Sequence, residues 1–280
     1  MLKQTEEIFI TIATCSKGNS SELLKTCASL QSLTQNIFHV EFEHLMILSC
    51  YNTLGIKSVQ DICKNYSDNV ATSIIETEPK GISHAFNLAL KSAQGYYITF
   101  LNAGDQIKCD SDCINSFRKI FQEKQISLKE KGKEFPVYYF DVFTIGKSQL
   151  FNRRIKSPNQ ITPYHFLKMG NPINHQSTLY PVQLAKQYPY PDLKVGMDYS
   201  VNCAMVINGI KFCKLPGILV YYDITGISAK NPFTRLCNNF KTLISEAINH
   251  RLYLLIVLAF LKLPFLTMKT VLQKLTYRLR

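Results

Sequence analysis

The 280-residue sequence predicts an α/β fold, a largely parallel sheet flanked by helices with a basic amphipathic helical tail at the C-terminal end. Three observations carry that expectation. Short β-rich apolar runs alternate with stretches of helical periodicity through the first half. One of those runs, Ile98 to Leu101, follows the turn residue Gly95 and ends in Asn102-Ala103-Gly104-Asp105, where the chain leaves the sheet. Beyond Leu252 an apolar run is interspersed with Lys and Arg, and no acidic residue follows Glu246.

Taken in order, Ile8 to Ala13 reads as the first strand and Thr14 to Ser20 as a small polar loop. Asn19 and Glu22 have the spacing of a capping box, and Leu23, Leu24, Cys27 and Leu30 recur at helical intervals. Phe42 to Leu48 predicts a strand, Val59 to Tyr66 a helix, and Ser73 to Glu76 a third strand. Lys80-Gly81 marks a turn, a helix follows it, and Gly95 stops that helix before the Ile98 strand. Asp110 is a natural N-cap for a helix whose Ile114, Phe117, Ile120 and Phe121 share a face. Lys124 to Glu134 has no apolar period and reads as a solvated connector, followed by an apolar run from Val137 to Ile145. Arg153-Arg154-Ile155-Lys156 reads as a basic loop, and Ile210 to Cys213 and Ile218 to Tyr222 as two separate strands.

Composition narrows the function classes. With 46% apolar and 19% charged residues the chain suits a globular core, and its net charge of +12 calls for an anionic partner. Nine scattered cysteines with no Cys-x-x-Cys pair indicate neither a disulfide framework nor a zinc site, and favour a reducing compartment. Glu6 and Glu7 stand where a signal peptide would carry its apolar core, so no secretion signal is expected. There is no basic stripe with regularly interleaved aromatics and no Trp, which argues against nucleic acid as the partner.

Asp105 is the first candidate for chemistry. Ligands of open α/β sheets bind at the carboxyl ends of the strands, and a carboxylate there can hold a divalent cation that substrate phosphates and water complete. Standing alone, the tetrapeptide Asn102 to Asp105 reads as a simple turn, because Asn, Gly and Asp close strands in proteins of every function. A literal Asp-x-Asp occurs at Asp110-Ser111-Asp112, but those residues are placed to cap the next helix.

From Glu78 to Tyr97 the chain has Lys80-Gly81, a helix with Ala85 and Asn87, then Gly95-Tyr96-Tyr97, and the strand that ends at Asp105. Further on it has Asn174-His175-Gln176, then Asp198-Tyr199 at a helix start, two strands, and the loop Asp223 to Ser228. In this order, from about Ile8 to Ser228, the chain resembles the family 2 glycosyltransferases. The resemblance implies the α/β fold termed GT-A and an inverting, hexosyltransferase-type transfer of a sugar from a nucleotide-diphosphate donor to an acceptor hydroxyl in cell-surface or lipid-linked glycan synthesis. It implies Asp198 as catalytic base, Asp105 as ligand of Mg2+ or Mn2+, and Thr14, Ser49, Lys80, Gly81, Asn87, Asn102, Ala103, Gly104 and Asp105 as donor-binding residues. His175, Gln176 and Asp223 fall where the acceptor binds. The chain departs from the family pattern after the second strand, where Leu48-Ser49-Cys50-Tyr51 carries no carboxylate to read the base. It departs again at His84 and Ser200, where acidic residues are frequent. The missing second-strand carboxylate supports an alternative, a non-catalytic relative that binds a nucleotide sugar or a glycan at a membrane, whereas His84 and Ser200 imply a different acceptor pocket. A helix N-cap is the structural alternative for Asp198.

The domain division expected is 1–230 for the glycosyltransferase-like unit and 231–280 for the tail. Lys262 and Pro264 interrupt the apolar run before it reaches the roughly 20 residues a spanning helix needs. The tail therefore reads as a helix lying on an anionic leaflet, which places the chain in the cytoplasm, peripheral on the cytoplasmic face of a membrane. An ordinary core-packing helix and a single span with Lys262 snorkelling to the interface are the other readings.

Overall fold

The computed structural model describes residues 8–17, 20–36, 42–49, 53–64, 70–127, 135–146, 152–223 and 231–278. Strands β1 (Ile10–Lys17), β2 (Phe42–Ser49), β3 (Val70–Thr77) and β4 (Tyr97–Phe100) alternate with helices α1 (Ser20–Asn36), α2 (Thr53–Cys63) and α3 (Ile82–Ser92). They pair in parallel in the order β3-β2-β1-β4. The short β5 (Gln106–Ile107), helix α4 (Ser111–Ser127), β6 (Val137–Ile145) and β7 (Arg153–Ile155) follow. Next come β8 (Thr178–Pro181), α5 (Val182–Ala185), α6 (Met197–Ile207), β9 (Phe212–Asp223), α7 (Pro232–Asn249) and α8 (Tyr253–Arg278). β8 runs antiparallel between β4 and β6 and so joins the two halves into one mixed sheet.

Alternation along the strands feeds a separate core on each face. Ile10 and Ile12 of β1 pack with Leu30, Phe117 and Ile120, whereas Ala13 and Cys15 pack with Phe86, Phe100 and Met205. A third cluster joins Tyr199, Cys203 and Val206 of α6 to Leu236, Leu243 and Ala247 of α7 and to Leu255 and Ala259 of α8.

Several local expectations are corrected. β1 continues through Lys17 because its full length pairs with β2, so Thr14 lies inside a strand rather than in a loop. The two strands expected between Ile210 and Tyr222 are one, β9, which bends at Gly217 (φ 103°). A side chain there would collide with the backbone of Cys113 at the start of α4. The Arg153 loop is an edge strand whose Arg154 pairs with buried Asp141 at 2.9 Å. Cys109 and Cys113 are bonded as a disulfide at the start of α4, a pairing the composition argued against. Pro264 does not end α8, because a proline inside a helix removes only one backbone donor and this helix is braced by its contacts with α7. The 20 residues Tyr253–Leu272 are thus long and apolar enough to cross a membrane by length and composition. Asn19, Tyr66 and the loop after Asp223 lie outside the described residues.

Candidate active site

Parallel pairing sets Lys17, Ser49 and Thr77 side by side at the carboxyl ends of β1, β2 and β3. β4 stops lower, its Phe100 opposite Ala13, and the Asn102–Asp105 turn fills the step. The sheet order changes direction between β1 and β4, and such a switch point is where ligands enter open α/β sheets.

Helix α1 clamps that turn. Thr26 Oγ1 donates to the Asp105 carbonyl oxygen at 2.8 Å and accepts from the Gly104 amide at 3.0 Å. The same amide also reaches Glu22 O at 3.2 Å, and Asp105 N donates to Asn102 O at 3.0 Å. Gly104 has φ 101°, and the nearest atom to an added Cβ would be 3.7 Å away in Glu22. Backbone conformation, and not lack of space, is what demands glycine here. Asp105 is held with its side chain buried.

The segment Asn171–Gln176 joins this carboxylate to the second one. Gln176 Nε2 donates to Asp105 Oδ2 at 3.2 Å, and Asn171 Nδ2 donates to Asp198 Oδ2 at 3.0 Å. Asn171 is itself aimed by Asn202 Nδ2 (3.1 Å), whose oxygen accepts from the Tyr180 hydroxyl at 2.8 Å. At the other end, Asn174 Oδ1 caps the short 3-10 turn through Gln176 N at 2.9 Å, and Thr99 Oγ1 donates to Gln176 O at 3.2 Å. Asp198 follows Gly196, the N-cap of α6 with φ 86°, so its carboxylate is not the cap and is turned to Asn171. Helix α7 supports this start: Asn238 donates to Val195 O at 3.0 Å and Asn239 to Met169 O at 2.9 Å.

His175 is buried between the two carboxylate-bearing elements, stacked on Phe100 at 6.1 Å and tilted against Phe86 at 5.4 Å. Burial pushes its pKa below the ordinary value, opposed by the nearby charge of Asp198, so the ring is neutral at pH 7. Its Nδ1 makes no hydrogen bond among the described residues. Burial likewise raises the Tyr180 and Tyr190 hydroxyls, which stay protonated as donors.

The other expected site residues are more dispersed. Thr14 is fully buried with Oγ1 3.0 Å from His44 Nε2, and Ser49 Oγ donates to Ser16 O at 3.3 Å. Lys80 is exposed and pairs with Glu78 at 3.2 Å, while Gly81 has open space beside it at φ 99°. Both polar atoms of Asn87 meet the backbone of Tyr190 at 2.8 Å, which fastens α3 to the stretch before α6. Ala103 packs near Met46 and Val59. Asp223 ends β9 opposite Ile145, and its side chain lies outside the described residues. Asp110 caps α4 as its position predicts, with Oδ1 accepting from Cys113 N (2.9 Å) and Oδ2 from Ile218 N (3.2 Å). Thr26, Asn171, Asn202 and Tyr180 were not foreseen. Asn171 alone carried a signal, as the first polar residue of the Asn171–Gln176 stretch.

No protein-family model and no curated protein matches the sequence. Among solved structures, the chain is similar to S. aureus TarS 1-349 in complex with UDP-GlcNAc, at 16% identity and a TM-score of 0.57 over 86% of this chain and 67% of that one. The mannosyltransferase PcManGT from Pyrobaculum calidifontis, in complex with GDP-Man and Mn2+, is similar at 13% identity and a TM-score of 0.53, over 94% of this chain and 76% of its own. The chain spans 66% of the TarS 1-349 structure with UDP and 40% of a longer TarS structure. What these likenesses share with the chain is the fold, a mostly parallel sheet flanked by helices.

Proposed function

We propose that the chain is a glycosyltransferase of the family 2 type that moves a hexosyl group, with inversion, from a nucleotide-diphosphate donor to an acceptor hydroxyl. The observation that carries this reading is the single segment Asn171–Gln176 that fixes two carboxylates, Asp105 at the β4 edge and Asp198 on α6. Similarity in fold to structures holding UDP-GlcNAc and GDP-Man supports the donor class. A divalent cation, Mg2+ or Mn2+, suits Asp105, a hard carboxylate at the sheet edge whose Oδ2 is held in place by the Gln176 amide. When bound, such a cation stabilises the negative charge of the leaving diphosphate.

The chain's own residues supply the rest. Asp198 takes the acceptor's proton, with one of its oxygens held by Asn171 so that the carboxylate is fixed in orientation. The neutral ring of His175 and the aromatic rings of Phe86 and Phe100 keep the wall behind it apolar. Lys80, Gly81 and Ser49 line the donor side, and Gln176 and Asp223 the acceptor side. Helix α8 docks the protein on an anionic membrane surface, which favours a lipid-linked or glycan acceptor. Its Leu255 and Ala259 are packed on α7, so the helix keeps those contacts when it lies on a membrane and loses them if it crosses one.

The test is transfer and donor hydrolysis against a panel of nucleotide sugars with Mn2+ or Mg2+, using the full chain and Asp198→Asn. The amide is nearly isosteric but accepts no proton, so turnover is expected to fall about 10²–10⁴-fold with donor binding and melting temperature kept. Turnover near the unmodified level would remove Asp198 as the base. Absence of any transfer or hydrolysis by the unmodified chain, with donor still bound, would favour the non-catalytic reading.

A further inference from the structure

We infer that Cys27, His44 and Cys63 form a binding site for a soft or borderline metal ion, Zn2+ by the chemistry of the donor set, separate from any cation at Asp105. The residues come from α1, β2 and α2, and their candidate ligand atoms all lie within 4.8 Å of one another. Tetrahedral zinc with bonds of about 2.0–2.3 Å sets its ligands about 3.3–3.8 Å apart, so closure on the ion needs shifts of only about an ångström.

The surroundings fit. Cys27 and His44 are buried beside Leu23, Met46, Leu48 and Val59, whereas Cys63, at the end of α2, is half-exposed and gives the ion a way in. Two thiolates neutralise a divalent ion completely, so the occupied site places no net charge in an apolar pocket. Oxygen-seeking Mg2+ and Mn2+ gain little from two sulfurs and an imidazole. The Thr14 hydroxyl lies 3.0 Å from His44 Nε2, the kind of outer contact that fixes a ligand ring's orientation. Three protein ligands leave a fourth position for water.

The site bears on the turn described above. Cys27 directly follows Thr26, the residue that clamps Gly104 and Asp105. An ion shared by α1, β2 and α2 therefore pins the helix that holds the turn. This inference does not depend on sugar transfer, because its readouts are metal content, spectrum and stability.

Full-length protein is purified without metal-affinity steps, stripped by chelation under a reductant that does not bind metal, and titrated with Co2+ and then Zn2+. One equivalent of Co2+ is expected to give sulfur-to-metal charge-transfer absorption, which stoichiometric Zn2+ abolishes and excess Mn2+ does not. Zinc is expected to raise the melting temperature. Cys63→Ser is the main variant because its site is half-exposed and tolerates the change; its zinc affinity should fall about 100-fold or more. Far-UV circular dichroism checks that it folds, and His44→Gln should lose the band likewise. A variant with Cys109, Cys113 and Cys237 all changed to Ser should keep the band. No charge-transfer absorption, a band that survives in Cys63→Ser, or one that vanishes when Cys109, Cys113 and Cys237 are changed would each overturn the inference. So would a Cys27–Cys63 disulfide in place of metal in freshly isolated protein.

Discussion

Thr26→Val tests whether α1 is what holds the Asp105 turn in place. Valine replaces the hydroxyl by a methyl of nearly the same volume, so the fully buried site gains no cavity. What is lost is the donor to Asp105 O (2.8 Å) and one of two acceptors for the Gly104 amide, which keeps Glu22 O at 3.2 Å. Removing a buried partner costs about 1–3 kcal/mol, and the retained Glu22 contact puts the expectation near 2 kcal/mol. For a domain of this size that is a fall of about 4–8 °C in melting temperature. Thr26→Ser keeps the hydroxyl and sheds a buried methyl, at about 1 kcal/mol. The two variants diverge at the site: Mn2+-dependent nucleotide binding, followed by calorimetry, should survive in Thr26→Ser and weaken in Thr26→Val. A valine variant within about 0.5 kcal/mol of the unmodified chain, or a serine variant that binds as poorly as valine, would refute the clamp.

Asp105→Ala should abolish metal-dependent donor binding and, by freeing the buried Gln176 amide, lower stability by about 1–3 kcal/mol, whereas Asp110→Ala should cost a similar amount by freeing the Cys113 and Ile218 amides and leave that binding in place. Calorimetry in which metal-enhanced binding vanishes in the second variant and not in the first would reverse that assignment. On α8, Leu254, Leu261 and Phe265 are 60–70% exposed, so changing all three to Ser should leave folding intact. Flotation with anionic vesicles should then fall on the order of 100-fold, and equal recovery would remove the membrane reading. Burial pushes the Asp141 carboxyl up, but the Ser157 amide, Lys214 and Arg154 outweigh it and hold the pKa below the ordinary value. A carboxylate depressed in the folded state stabilises above its unfolded pKa and loses that stabilisation as pH falls through the folded one. Asp141→Asn should therefore cost most stability at neutral pH and least in strong acid, and urea titrations giving a pH-independent difference would contradict this.

Local pattern was enough to read much of the chain from its sequence. The β4 run and the Gly104 turn, the helix after Gly81, the Asp110 cap and the apolar-basic tail each arise from neighbours a few residues apart, where periodicity and turn chemistry act. Tertiary structure decided the rest because its causes lie far along the chain. Pairing with β2 carried β1 past Thr14, and the close approach of α4 at Gly217 accompanies the bend that makes two expected strands one. Neither the bond from Asn171 to Asp198 nor that from Gln176 to Asp105, 27 and 71 residues apart, leaves a trace in local spacing. Thr26 sits in the periodic pattern of α1 like any other helical position, and only the packed fold sets its hydroxyl against the turn. The same holds for Cys27, His44 and Cys63, whose sequence spacing matches no metal motif and which meet because α1 and α2 pack side by side on β2. Periodicity reports which face of an element is buried, and the polar partner waiting there is set by chain topology.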